Sequence, residues 1–330
     1  MKIGLVYNLR STYIKDSDEP SDADAEWDSE STIQHLSSTI VSLGHTVVPI
    51  GSPQNLIYNH PLLKDINLIF NIAEGIKGRN RESQVPAICE LLNIPYTFSD
   101  ALTMAISLDK YLCKKLVHCE GIPTPAYWKI STFDDLTVIP DNQFPLFVKP
   151  VTEGTAKGIT VDSLVSNKSE LDIQVRRLLD IYKQPVLVEK YLSGREFTAS
   201  LIGNNNPYVI GIMEIMIHDT TQKNVYTFIA KEEYESRVTY KLFDDRESIL
   251  WKKMATIALS VFKIIECRDV ARIDIRCDEQ EIPYFLEINP LPGLHPVHSD
   301  FSIIAGMVGR NFESLIKEII ENASLRWGII

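Results

Sequence analysis

Near the C-terminal end of the chain, the segment ARIDIRC (271–277) sets Arg272 and Asp274 two residues apart, and PYFLEIN (283–289) does the same for Glu287 and Asn289. Side chains of a strand alternate between its faces, so each pair shares one side. If the two strands pair as a hairpin, Asp274, Glu287 and Asn289 converge into a set of hard oxygen donors of the kind magnesium takes beside nucleotide phosphates. The same alternation would serve two edge strands with solvated carboxylates. Two lysines stand inside apolar runs, Lys149 in LFVKP and Lys190 in VLVEKYL, the second with Glu189 beside it. An ammonium is costly to bury unpaired, so such a lysine either snorkels to water or faces an anion. The small-residue loop EGTAKGI (153–159) can bring backbone N–H groups close to a phosphate, although it lacks the P-loop pattern G-x-x-x-x-G-K-[ST].

The elements that must hold these residues follow from hydrophobic periodicity. KIGLVYNL, HTVVPIG, DINLIFNIA and IPYTFS read as strands, with helices at TIQHLSSTIVSLG and QVPAICELLN, which makes residues 1–98 a parallel α/β lobe. In residues 99–185 a helix closing at Gly121 precedes a β-rich segment with FPLFVKPV and GITVD, and SELDIQVRRLLDIY forms a helix. Residues 186–330 read as the strands QPVLVEKYL, REFTASLIG, PYVIGIMEIM and NVYTFIA, a long helix over ESILWKKMATIALSVFKII, the two strands of the opening argument, and a C-terminal helix.

A chain of 330 residues exceeds the usual single core, so chemistry is expected between lobes. With 33 Lys+Arg against 44 Asp+Glu the formal charge is -11, and no basic run is present, which argues against nucleic acid as a partner. An anionic ligand would need a local cluster of Lys, Arg and backbone N–H groups or a bridging cation. The five cysteines include no C-x-x-C pair and read as reduced thiols. Neither a signal peptide nor a membrane-spanning run is evident, so a soluble cytoplasmic protein is expected.

Six segments in this order, SLDKYLCKKL, FPLFVKPVTEGTAKGI, VLVEKYLSGREFTASLIG, VYTFIAKEE, ARIDIR and FLEINPLPGL, resemble the successive motifs of the ATP-grasp superfamily, and in particular of D-alanine:D-alanine ligases. The resemblance implies an α/β ATP-grasp fold of three lobes, the first of them an N-terminal parallel α/β (preATP-grasp) domain. It also implies an ATP- and magnesium-dependent carboxylate–amine ligase that is a homodimer through its N-terminal lobe. Its substrates would be a small-molecule acid and amine. By this resemblance Lys110 and Lys149 contact ATP phosphates, Lys149 also lies near the adenine, and the loop around Gly154 and Thr155 covers the triphosphate. Glu189 takes the adenine amino group with Lys190 and the backbone at Tyr191 and Leu192, Glu196 holds the ribose, and Lys231 approaches the γ-phosphate. Asp274, Glu287 and Asn289 hold two magnesium ions, with manganese able to substitute, while Arg272 and the Gly293 N–H stabilise the oxyanion.

The sequence departs from that family where the acid and amine bind. The glutamate-ending motif that receives the first substrate's amino group is replaced by YNLRSTYIKDSDEPSDADAEWDSES, leaving Glu26 and Glu30 as substitutes. The H-G and G-E-D-G signature becomes NIAEGIKGRNRESQ, with Glu74 in the histidine's place and Arg79 and Arg81 able to pair with a substrate carboxylate. The family's H-S serine falls near His298 and Ser299. An ATP half retained beside a rewritten amino-acid half points to a ligase for other amino acids, peptides or a biosynthetic intermediate. The alternatives are an ATP-grasp enzyme forming a non-amide bond and a non-catalytic ATP-binding regulatory protein.

Overall fold

The computed structural model describes residues 1–17, 19–58, 60–218 and 238–329. A parallel sheet of β1 (Lys2–Val6), β2 (Thr46–Gly51) and β3 (Leu68–Asn71), in the order β2-β1-β3, organises the first lobe. Parallel neighbours need a crossover, and α1 (Glu30–Ser42) supplies it between β1 and β2, its first turn capped by the Ser29 side chain accepting from the Thr32 N–H. The other face buries Leu56 of α2 (Pro53–Tyr58) and Val85 and Cys89 of α3 (Gln84–Leu92) against Val6 and Ile69. IPYTFS, expected as a further strand, contributes a single bridge from Tyr96 to Ile69. The extended run stops because Phe98 turns to a φ of 71° and gives its N–H to Asp269 at 2.7 Å.

Two helices, α4 (Ala101–Leu108) and α5 (Lys110–Cys119), capped by Asp100 and Asp109, lead into the second lobe. There β4 (Tyr127–Ile130), β5 (Leu146–Pro150), β6 (Leu164–Val165) and β7 (Val186–Lys190) form an antiparallel sheet ordered β4-β7-β5-β6. It packs on α6 (Lys168–Tyr182) through Leu171, Val175 and Leu178. Two expectations are corrected here. GITVD is no strand but a 3-10 turn, Val161–Ser163, capped by the Thr160 side chain. Strand β7, assigned from sequence to the third lobe, is hydrogen-bonded between β4 and β5, because an apolar run marks a buried strand without marking its neighbours.

The third lobe is an antiparallel sheet of β8 (Glu196–Ile202), β9 (Tyr208–Ile217), β10 (Val238–Leu242), β11 (Val270–Cys277) and β12 (Pro283–Asn289), ordered β10-β9-β8-β11-β12. The expected strand NVYTFIA lies outside the described residues. One face packs Phe197, Ile273, Ile275, Phe285 and Ile288 on Met254, Ala258 and Val261 of α7 (Ile249–Ile264). Helix α8 (Asp300–Met307) follows, and α9 (Phe312–Trp327) returns to the first lobe, burying Leu315, Ile319 and Ala323 in a core shared with Ile3, Leu5 and Leu36. At this joint Asp269 accepts from Phe98, Asn204 and Arg326. No helix of the described residues is long and apolar enough to cross a membrane.

Strand β12 carries a bulge that strict alternation would not foresee. Ile275 pairs with Phe285 and Asp274 with Glu287, so Leu286 has no opposite number on β11. Because Leu286 drops out of the alternation, Glu287 and Asn289 stand not on the α7 face with Phe285, where period-two numbering would put them, but on the face of Arg272 and Asp274. Deleting Leu286 is expected to turn the bulge into a regular ladder that keeps Glu287 opposite Asp274 on the cleft face, and so to cost no more than a side-chain truncation there, about 1–2 kcal/mol, since no carboxylate enters the core. Leu286→Ala, which keeps the residue count, is likewise expected to cost about 1–2 kcal/mol. Urea unfolding of the two variants provides the comparison.

Candidate active site

The cleft between the second and third sheets is lined by Lys149, Thr155, Glu189, Lys190, Tyr191, Leu192, Glu196, Arg272, Asp274 and Glu287 and encloses about 930 Å³ of solvent-open space. Antiparallel register places Asp274 opposite Glu287 and Arg272 opposite Asn289, so the hairpin inferred from sequence exists. Lys149 arrives on β5, its Nζ 2.9 Å from Glu189 and 3.6 Å from Glu287. Lys110 arrives from the first turn of α5, 3.8 Å from Glu287. Burial alone would raise the Glu287 carboxyl, but Lys110, Lys149 and Arg272 overcome it and pull its pKa from 4.5 to about 2.

Glu189 is buried, and its carboxylate holds both Lys149 and Lys114, the latter at 2.6 Å. Burial works against its charge, but the two lysines keep it below the usual carboxylate range. Lys114 was not singled out from sequence. It stands one turn beyond Lys110 on the same helix, and that i,i+4 spacing was the signal available. Fully buried, it also donates to the Phe285 carbonyl of β12. The Lys190 ammonium turns aside to the carbonyls of Gln143 and Phe144, so its apolar setting reflects backbone capping. Glu196 binds Arg276 at 2.9 Å, and Arg276 in turn donates to the Tyr191 hydroxyl. Arg272 is held by Asp274 at 2.9 Å and by Asp300 at 3.4 Å, and Thr198 donates to Asp274 at 2.7 Å.

The loop over the cleft is fixed from the first lobe. Thr155 and Ala156 take φ values of 49° and 56°, a conformation costly for a β-branched side chain and of the type that gathers at ligand clamps. The Gly154 N–H donates to Glu26 at 2.6 Å and the Gly158 N–H to Asp22 at 2.9 Å. Of the two acids left open by sequence, Glu26 is therefore at the site, while Glu30 is exposed on the first turn of α1. Glu26 also binds Arg81 at 2.6 Å and Lys157 at 3.4 Å. Arg79 pairs with Asp109 at 2.7 Å. Both guanidiniums expected to meet a ligand carboxylate are thus engaged by carboxylates of the protein.

A second cavity adjoins the cleft through Thr155, Arg272 and Asp300. Glu26, Asp28 and Glu74 line one wall, with Asn289, Gly293, His295, His298 and Ser299 on the other. Burial pushes Asp28 up to about 7 against the hydrogen bond from Thr32 and the charge of Arg10. Ser299 accepts from the His295 N–H and sits under Gly293, where an added Cβ would meet its Oγ at 2.9 Å. Lys231 lies outside the described residues.

Among the described residues no three His, Cys, Asp or Glu side chains gather to hold a metal. The hairpin instead offers two carboxylates and the Asn289 amide, whose Oδ1 already accepts from Leu291. Magnesium commonly binds through one or two carboxylates plus phosphate oxygens, so this donor set fits a nucleotide-bound cation.

Residues 116–321 match the family model described as D-ala D-ala ligase C-terminus. The chain belongs to the D-alanine–D-alanine ligase family of ATP-dependent carboxylate–amine ligases. It is 30% identical over 290 residues to the D-alanine–D-alanine ligase of Carboxydothermus hydrogenoformans, covering 85% of this chain and 88% of the relative. It is 33% identical over 267 residues to the uncharacterized protein y4sG of Sinorhizobium fredii, covering 81% and 77%. In architecture it is similar to D-alanine–D-alanine ligase from Bacillus anthracis complexed with ATP, with a TM-score of 0.75, 24% identity and coverage of 100% and 99%. VanG D-Ala:D-Ser ligase from Enterococcus faecalis gives a TM-score of 0.72 at 21% identity, covering 98% and 99%. The fold is ATP-grasp.

The depressed Glu287 sets a pH signature. A carboxylate whose folded pKa lies below its unfolded value adds stability above the unfolded value and loses it on acidification. The stability difference between wild type and Glu287→Gln is therefore expected to be largest at neutral pH and to shrink between pH 4.5 and about 2. Denaturant midpoints across that range measure it, and a difference constant with pH would remove the ion-pair account.

Proposed function

We propose that the chain cleaves ATP to ADP and phosphate while joining a carboxylate to an amine through an acyl phosphate, with substrates other than two molecules of D-alanine. The observation that carries this reading is the shared boundary of the two cavities. Arg272 and Thr155 face both the cation-rich cleft and the second cavity, whose wall is built from Glu26, Asp28 and Glu74. In the first step an oxygen of the acid attacks the γ-phosphorus and ADP departs. In the second an amine attacks the acyl carbon and phosphate leaves.

Lys110 and Lys149 neutralise charge on the transferring group, and Arg272 with the Gly293 N–H stabilises the tetrahedral oxyanion. Magnesium, held by Asp274, Glu287 and Asn289, would supply further charge neutralisation at the phosphates. Thr155 and Gly154 cover the triphosphate, Glu189 to Leu192 and Glu196 hold the nucleoside, and Lys231 completes the cation set. The engagement of Arg79 and Arg81 within the protein supports a substrate pocket rebuilt for another amino acid, a peptide or a biosynthetic intermediate. A two-magnesium site, a homodimer through the N-terminal lobe, and a cytoplasmic location belong to the same proposal.

Phosphate release with ATP and magnesium, measured across amino acids and dipeptides including D-alanine, tests it. Release is expected only when an acid and an amine are both present, with D-alanine inert, and Glu287→Ala is expected to lose about 100-fold or more, the scale typical of lost transition-state charge stabilisation. Efficient turnover of D-alanine would overturn the substrate reading. ATP binding without release on any pair would overturn the ligase reading.

A further inference from the structure

Among the described residues, one carboxyl lining the second cavity lacks a partner. Glu74 follows β3 and opens into the second cavity together with Arg272 and Gly293. Among the described residues it makes neither a hydrogen bond nor an ion pair. The backbone beside it is locked, since the Gly75 N–H donates to Asn8 at 2.9 Å and a Cβ at Gly75 would stand 2.2 Å from the Arg81 carbonyl oxygen. Glu74 therefore cannot retreat from the cavity by a shift of its own turn.

An amine reaches a neutral solution as an ammonium, and its nitrogen has no lone pair to offer until a proton leaves. The other groups around the cavity are occupied. Glu26 is filled by Arg81, Lys157 and the Gly154 N–H. Asp28 is bonded by Thr32 and faces Arg10. His295 Nδ1 accepts from the amides of Val297 and His298, while its Nε2 meets Ser31 at 3.3 Å. His298 is exposed and stacked on His295 at 4.4 Å.

We propose that Glu74 receives the ammonium of the incoming amine and takes its proton, as the general base of amide-bond formation; this rests on the ligase reading above. The proton passes from nitrogen to the Glu74 carboxylate, and the freed lone pair attacks the acyl carbon. The carbon–oxygen bond to phosphate then breaks, its electron pair leaves with phosphate, and phosphate takes the second nitrogen proton. Glu74 returns its proton to solvent. Burial, together with the carboxylates of Glu82, Glu26 and Asp28, holds Glu74 well above the usual range, with Arg81 opposing. Arg10, Arg272, Asp300, His295 and His298 share the lining of the cavity. A carboxyl of raised proton affinity suits proton removal near neutrality better than an ordinary one.

Hydroxylamine and methylamine separate this role from a structural one, because they are similar in size but at neutral pH the first is largely uncharged and the second is an ammonium. With the acid that supports phosphate release in the panel above, wild type and Glu74→Gln are compared for hydroxamate and methylamide formation across pH. The methylamine rate of the variant is expected to fall by about 100-fold relative to its hydroxylamine rate, the lower end of general acid–base contributions, and to lose its acid limb. An unchanged ratio of the two rates overturns the assignment. Absence of hydroxamate from the wild type would instead overturn the ligase reading, and with it this one.

Discussion

The bulge at Leu286 decides which side chains of β12 meet the cleft. Were Leu286 paired as an ordinary ladder residue and not bulged, alternation would put Glu287 on the face of Phe285 against α7, and the third lobe would have to choose between a charged core and an exposed aromatic ring. With the bulge, the strand keeps Phe285 and Ile288 in the core and turns Glu287 and Asn289 toward Arg272 and Asp274. A bulge of this kind re-aims side chains locally while the rest of the ladder continues. The other lobes are arranged around the charge thus delivered. Lys149 comes from the second sheet and Lys110 from the helix that enters it, and each approaches Glu287.

Charge compensation also explains how the first lobe reaches across. A carboxylate taken from water must be matched by cations or donors, and Glu26 is matched entirely by groups from two other segments: Arg81 after β3, and Gly154 with Lys157 on the cleft loop. The loop above the cleft and the wall of the second cavity are thereby one electrostatic unit. Asp22, bonded to Gly158 and to Tyr182, anchors the far end of the same loop. Through Asp22 and Glu26 the acidic stretch near the N-terminus is the strap that holds the loop in place.

Much of this was legible in the sequence and some of it could not have been. Period-two spacing found the hairpin and its four polar residues, and ordered motifs found the fold, because strand alternation and loop composition are local properties. The bulge escaped, since a one-residue change of register leaves no local mark in PYFLEIN. Lys114 and Lys157 escaped because their partners Glu189 and Glu26 are distant in sequence, and Lys190, left open between water and an anion, gives its ammonium to backbone carbonyls. The choice between Glu26 and Glu30 turned on a contact with Gly154, over a hundred positions away, which no propensity encodes. Strand β7 was recognised as a strand but assigned to the wrong sheet for the same reason.

Helix α9 bears on the order in which the chain can complete itself. Its Leu315, Ile319 and Ala323 fill the core around Ile3, Leu5 and Leu36, and Arg326 and Trp327 donate to the carbonyl of Tyr96. The first lobe is therefore closed by residues that the ribosome adds only after both other lobes. During synthesis, which delivers roughly 5–20 residues per second, the open face of the parallel sheet waits for the second and third lobes to be made. A chain arrested before α9 would fail first at its opposite end, in the lobe whose own residues were all present.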